Sequence, residues 1–268
     1  MLSTPVWFAM LAAVALLSWG AGWWAAQRSA ALGRVAVAVG LAWLVGWIVL
    51  QQRPDAAVLL IPLGMLSHVE GTGAVPAFML IVGAAMAAAS LPRQRMLARV
   101  STVVGAAFFA YAGMWMLQPE PTLGAPSRQH GRVLQSTDYT CVAAASATAL
   151  GMVGVDATEH EMAGLTGTRP IAGSTLVRAY EGLTRKLADR SHEAVLLTVQ
   201  PDEVPRLPKP MLTALRLQPT SRHMVVVLNA TPTDVHLFDP SVGDRWLSRG
   251  QFDASFLGDV IVLAPRDL

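Results

Sequence analysis

The chain has 268 residues, 53% of them hydrophobic, with a formal net charge of +2 and one cysteine. Its mean hydropathy of +0.44 is higher than a soluble globular domain carries, and the excess is confined to the first 118 residues, which excludes a wholly soluble chain. Up to Gln118 six arginines meet only Asp55 and Glu70, whereas from Pro119 onward fourteen basic residues meet sixteen acidic ones, so the basicity lies in the apolar half and no basic patch interleaved with aromatics points to nucleic acid.

Three apolar segments have spanning length: Val6 to Ala26, Val35 to Leu50 with its flanks, and Val100 to Leu117. A fourth, Val75 to Leu91, is about the minimum for a span. Ala56 to Ser67 is apolar but holds Pro62 and Gly64 and is only about twelve residues long, short of a crossing. It reads as a re-entrant or interfacial piece, or as a kinked extension of the third span. Trp19, Trp23 and Trp24, with Trp43 and Trp47, suit an interfacial belt or packing between helices. Arg28 and Arg34 after the first span, and Arg93, Arg95 and Arg99 before the last, assign those loops to the cytoplasm. With four spans this puts the N-terminus and the C-terminal domain outside. No positive charge precedes the first span, so it reads as an anchor and not as a cleaved signal peptide. His68 and Glu70 read as a polar interfacial loop, with an intramembrane proton site as the alternative.

The segment from Gln118 to Ser127 carries three prolines and a glycine and reads as an extended linker. Beyond it the pattern predicts helices over Cys141 to Met152, Thr158 to Leu165 with a capping-box pair Thr158 and Glu161, and Ser174 to Leu187. Strands are predicted over Ala194 to Val199, Met211 to Leu217, Met224 to Asn229, Val235 to Phe238 and Val260 to Leu263. Helices first and antiparallel strands second is an α+β order. No phosphate-binding loop ends in Gly-Lys-Ser or Gly-Lys-Thr, so the chain is not itself an ATPase.

Cys141 opens an alanine-rich apolar helix, where unpaired N–H groups at the helix N-terminus lower a thiol's pKa. His223 begins a β-branched run and Asp239 closes the next strand-like segment, so a hairpin sets imidazole and carboxylate side by side. Each residue also has a plainer role: Cys141 a small core residue, His223 a strand-end histidine, Asp239 a turn residue before Pro240, and Gln135 a helix cap. A lone cysteine forms no internal disulfide, and an outward-facing domain keeps a free thiol only if it has a use. His160-Glu161 has Gly164 where a zincin's second histidine would stand, so no metal is expected. His236 reads as a strand surface residue. Arg222 reads as solvated, or as a contact for a substrate carboxylate.

The segment Leu134-Gln-Ser-Thr-Asp-Tyr-Thr-Cys-Val-Ala-Ala144, the run from His223 to Leu228 and the Asp239-Pro-x-x-Gly243 turn resemble the C39 peptidases and C39-like domains, papain-like domains of bacteriocin-processing exporters. The resemblance covers roughly the last half of the chain. The apolar segments give a membrane helical bundle of about four spans over 1–118 and the proline-rich stretch a linker over 119–132; the resemblance implies an α+β papain-like domain over 133–268. It also implies a mechanism: Cys141 as nucleophile forming a thioester, His223 as general base and then acid, Asp239 orienting the imidazole, and the Gln135 amide with the Cys141 N–H as the oxyanion hole. No cofactor is implied. The implied substrate is a peptide or an exported protein's leader near the lipid of a bacterial inner or plasma membrane, with a separate ABC-type exporter as partner. The family usually has Asp before the nucleophile and Gly after it, where this chain has Thr140 and Val142. Two other readings follow: a catalytically silent peptide-binding subunit of a membrane complex, and an amidase or acyltransferase with the same triad.

Overall fold

The computed structural model describes residues 4–70, 72–116, 118–171, 173–218 and 221–266. Leu117, the expected end of the last span, and Asp267 and Leu268, the expected end of the C-terminal domain, lie outside them. The chain separates into two compact units, Met1–Arg53 with His68–Gln118, and Pro54–Ser67 with Pro119–Leu268.

In chain order the first half forms α1 (Thr4–Arg28), α2 (Ala30–Gln51), the short α3 (Pro54–Leu60) and α4 (Leu66–Val69), then α5 (Val75–Ala88) and α6 (Pro92–Met116). Ser29 separates the first two, its hydroxyl capping α2 by accepting from Leu32 N at 3.2 Å. In α2 the buried positions are Gly33, Ala36 and Gly40, while Val45, Ile48 and Val49 face outward. Small residues inside and large apolar residues outside is the pattern of helices packed in lipid. Gly22 and Gly83 set the approach of α1 to α5, because a Cβ on either would run into the backbone of Leu80 or Trp19. Trp19 stacks on Trp23, whereas Trp24 and Trp43 are exposed.

Among the described residues two helices, Val6–Arg28 and Ala30–Gln51, are long and apolar enough to cross a membrane. Four spans were expected. At 14 residues α5 is about 21 Å long, short of a hydrocarbon core of about 30 Å. The first two turns of α6 carry Arg93, Arg95 and Arg99.

The second unit begins with a hairpin. β1 (Ser127–Gln129), inside the stretch read as linker, pairs with β2 (Arg132–Leu134) through His130 and Gly131, both at positive φ. Next come α7 (Cys141–Met152), α8 (Glu159–Leu165) and α9 (Leu176–Lys186). Thr158 caps α8 by accepting from Glu161 N at 3.1 Å, and Thr175, not Ser174, caps α9.

A six-stranded antiparallel sheet follows: β3 (His192–Thr198), β4 (Met211–Gln218), β5 (Ser221–Ala230), β6 (Asp234–Asp239), β7 (Gly243–Ser248) and β8 (Phe256–Pro265), in the order β3-β8-β4-β5-β6-β7. β7 and the helix α10 (Arg249–Ser255) were not expected. Gly-Asp-Arg-Trp-Leu-Ser has no β-branched residue, so local propensity does not announce β7.

The sheet has a core on each face. Met224, Val226, Phe238 and Ile261 pack with the alanines of α7 and with Leu183 and Leu187. Val225, Val227, Leu237 and Val260 pack with Val204 and Phe252. The alternation along β5 is the period-2 geometry of a strand buried on both sides.

Candidate active site

β5 and β6 pair with Val226 opposite Phe238; continuing that register by one residue makes Asp239 the diagonal neighbour of His223 on the same face. His223 Nε2 lies 2.7 Å from Asp239 Oδ1, which leaves Nδ1 for another partner. Cys141 lies beside that imidazole: the His223 side chain and the Met224 backbone are near enough to its thiol to hold the thiol's pKa down. The helix N-terminus thus brings the sulfur to the point where β5 presents its imidazole.

The electrostatics follow from this chain of contacts. Burial raises the pKa of Cys141, but the His223 hydrogen bond, the Met224 and Val142 backbone contacts and the charge of His223 outweigh it and hold the thiol below its ordinary value. Burial likewise opposes the His223 imidazolium, yet hydrogen bonds and charges from Asp239 and Cys141 push its pKa up to about 9. Asp239, itself buried, is held well below the usual carboxylate range by hydrogen bonds from His223 and Ser241 and by the His223 charge. The lowered thiol and the raised imidazole together favour a thiolate facing an imidazolium.

Asp239 has partners that the sequence reading did not single out. Ser241 donates from its backbone N at 2.9 Å and its hydroxyl at 2.6 Å, both to Oδ1. Arg245 Nη1 donates to Oδ2 at 3.2 Å. The Ser241 contacts close an Asx-type turn over Pro240, for which a Ser two residues after an Asp was the available signal. Gly243 ends this turn at φ +97°, and a Cβ there would overlap the Gln129 carboxamide; only glycine suits both demands.

Gln135 lies against the same turn, its N–H donating to Pro240 O at 2.8 Å. The next residue is held as well: Ser136 N donates to Glu159 Oε1 at 2.8 Å, a carboxylate that is itself buried. The Gln135 side-chain oxygen is buried with no hydrogen-bond partner among the described residues. Thr140, which stands where the family usually has Asp, is fully buried and closes a turn onto Thr137, its hydroxyl donating to Thr137 O at 3.0 Å. It makes no side-chain cap on α7, and the first N–H groups of that helix are not consumed by it.

The other singled-out residues lie apart from this chain of contacts. His236 stacks on Trp246, ring centroids 4.3 Å apart, and meets Asp244 at 3.2 Å. Asp244 also takes Arg132 Nη1 at 2.5 Å and His130 Nδ1 at 3.4 Å, which ties the β1–β2 hairpin to β7. His160 and Arg222 are exposed. Among the described residues no group of three His, Cys, Asp or Glu side chains is placed to hold a metal. A cavity of about 160 Å³ borders Asp239 and Arg245, floored by Leu215, Val225, Leu237 and Leu247.

Comparison with known proteins places these observations. The model of the peptidase C39 family matches residues 130–267. An uncharacterized protein of Methanothermobacter thermautotrophicus is 32% identical over 132 residues, which cover 49% of this chain and 86% of the relative. One of Methanothermobacter marburgensis is 32% identical over 135 residues, covering 50% and 89%. Two solved structures are similar. A double glycine motif protease from an AMS/PCAT transporter, in complex with the leader peptide, is 19% identical, with 53% of this chain and 99% of that one covered at a TM-score of 0.44. The peptidase domain of Streptococcus ComA, a bi-functional ABC transporter involved in a quorum sensing pathway, is 20% identical, with 50% and 96% covered at a TM-score of 0.44.

Proposed function

The chain belongs to the peptidase C39 family, and on that premise we propose that its C-terminal half is a membrane-anchored cysteine peptidase that cleaves a peptide or the leader of an exported protein. Cys141 is the nucleophile. His223, through Nδ1, holds it as thiolate and protonates the leaving amine; Asp239 fixes the ring through Nε2. The attack forms a thioester and releases the amine product, and water then releases the acyl product. Gln135 and the Cys141 N–H stabilise the oxyanion, each donor worth on the order of 3 kcal/mol. The observation that carries this reading is the 2.7 Å hydrogen bond between His223 and the buried Asp239 carboxylate, with the Cys141 thiol beside the same imidazole.

In this reading residues 1–118 anchor the chain, 119–132 lead out of the anchor, and 133–268 form the peptidase domain. The apolar exteriors of α1 and α2 support the anchor, and the arginine bias supports an outward-facing domain. A separate ABC-type exporter is the partner by family analogy alone. Thr140 and Val142, both buried beside the thiol, favour the second reading, a peptide-binding subunit that does not cut.

The test is the alkylation rate of Cys141 from pH 4 to 9 in the full chain, wild type against His223→Ala. A plateau reaching below pH 7 that the substitution abolishes supports the peptidase. Labelling that follows an ordinary thiol, with pKa of about 8.5, and ignores His223 leaves the binding reading in its place.

A further inference from the structure

α3 lies in sequence between α2 and α5, yet the structure assigns Pro54–Ser67 to the C-terminal unit. Its inner side packs there: Pro54 and Ala57 are buried, Val58 packs on the core that contains Leu183 and Leu196, and α3 contacts β3, the end strand of the sheet beside β8. This segment lies outside the stretch, residues 130–267, that matches the family.

A second observation comes from α9. Glu181 sits on the buried side of that helix beside Ala179, Gly182 and Leu183, 1% exposed. A buried carboxylate is costly unless it is hydrogen-bonded. Arg185 Nη2, 3.5 Å from Oε2, is its ion-pair partner, and Oε1 accepts from Gly64 N at 2.8 Å. Gly64 is at φ +92°, which turns its N–H toward the carboxylate in a conformation that other residues resist. The outer side is different: Leu59, Leu60, Leu63 and Met65 are exposed, Leu59 by 85%. That apolar row begins eight residues after the end of a helix able to cross a membrane.

We propose that residues 54–67 are a strap that fixes the peptidase domain against the bilayer surface, its inner side latched to α9 by Glu181 and its outer leucines seated in the lipid interface. The latch does not depend on Cys141 chemistry; the outer contact rests on α1 and α2 crossing the membrane. Both ends of the strap run into the anchor, so the domain is held at two points, here and at Gln118. The strap and the domain must then share one side of the membrane, as they do when α1, α2, α5 and α6 all cross.

The test uses the full chain carrying Cys141→Ser and a protease site engineered into residues 119–126. Cysteines at Leu63 and at Thr184 of α9, which leave Arg185 and Glu181 in place, treated with a short bis-maleimide, are expected to hold the two halves together after proteolysis. Leu63 paired with a cysteine at Trp246, on the opposite edge of the sheet, is expected to give at least tenfold less. Equal yields overturn the strap. Glu181→Ala is expected to lower the first yield about tenfold, while Glu181→Gln, which keeps an acceptor for Gly64 N, retains it. If the alanine variant does not fold, the glutamine variant decides, and its loss of cross-linking overturns the latch. For the outer side, an environment-sensitive fluorophore at Leu60 in phosphatidylcholine–phosphatidylglycerol vesicles is expected to be quenched by headgroup-level nitroxide lipid, and one at Trp246 is not. An unquenched Leu60 beside a quenched probe at Val45 of α2 overturns the interfacial contact alone; both unquenched overturns the membrane reading beneath it.

Discussion

The two halves of this chain bury opposite kinds of residue. In the helical half Gly33, Ala36 and Gly40 are inside and Leu16, Leu17 and Val45 are outside. In the C-terminal half Phe238, Phe252 and Leu183 are fully buried. On the proposed reading of residues 1–118 as a membrane anchor, the difference lies in the solvent each half meets. Water drives apolar surface inward, whereas lipid is as apolar as leucine, so close contact between small residues holds helices together instead. In the second unit Asp239, Glu159 and Glu181 are buried and hydrogen-bonded, so that half contains both the candidate site and its polar supports.

The widest separation between the halves is catalytic. Cys141→Ala is expected to lower peptide cleavage by about 10³-fold or more without altering the membrane association of α1 and α2, measured by turnover and by carbonate extraction. Next is packing. Phe252→Ala is expected to destabilise the C-terminal unit by about 3–5 kcal/mol, read as a shifted denaturation midpoint. Charge on an outward residue then sets the two solvents against each other. Leu17→Arg, at a site 72% exposed, is expected to disfavour insertion by about 2.5–3.5 kcal/mol if it sits near the bilayer centre. Val242→Arg, at 63% exposure, is expected to move stability by no more than about 0.5 kcal/mol. Equal effects in an insertion assay and in denaturant melts would break the comparison.

Smaller effects belong to the carboxylate's supports. Ser241→Ala removes one of the hydroxyl and backbone donors to Asp239 Oδ1 and is expected to lower kcat about tenfold with KM little changed, as for a hydrogen bond to a charged group worth about 1.5 kcal/mol. A further effect is in pH. The raised His223 pKa, about 9, contributes stability that is full below its unfolded value of about 6.5 and is lost as pH rises through 9. The lowered Asp239 pKa contributes stability present above its unfolded value of about 3.9 and lost as pH falls through the folded one. Wild type and His223→Ala should therefore differ most in melting temperature between those limits and converge toward both extremes.

What could be read locally was read from residues whose chemistry and spacing are their own evidence. Cys141 ahead of an alanine helix and His223 at the head of a valine strand are legible as a candidate thiol and a candidate imidazole, because helix and strand periods place each side chain on its own element. Asp239 followed by a proline turn adds the third member on the same ground. The apolar runs of α1 and α2 are legible for the same reason: hydropathy over about 20 residues is a local sum.

Tertiary structure alone decided the rest. Arg245 reaches Asp239 from β7, a strand that local propensity does not announce, and Glu159 holds the Gln135 loop from the start of a different helix. Thr140, which stands in the usual place of an aspartate, is turned onto Thr137 by the closing of one turn. Ala56 to Ser67 could not be assigned from its own residues, since its inner partner, Glu181, lies 117 positions away from Gly64. Contacts at such separations depend on which surfaces meet once both cores are closed. A pattern with a period of two or 3.6 residues fixes how one element faces its neighbours, and carries no information on which neighbour it meets.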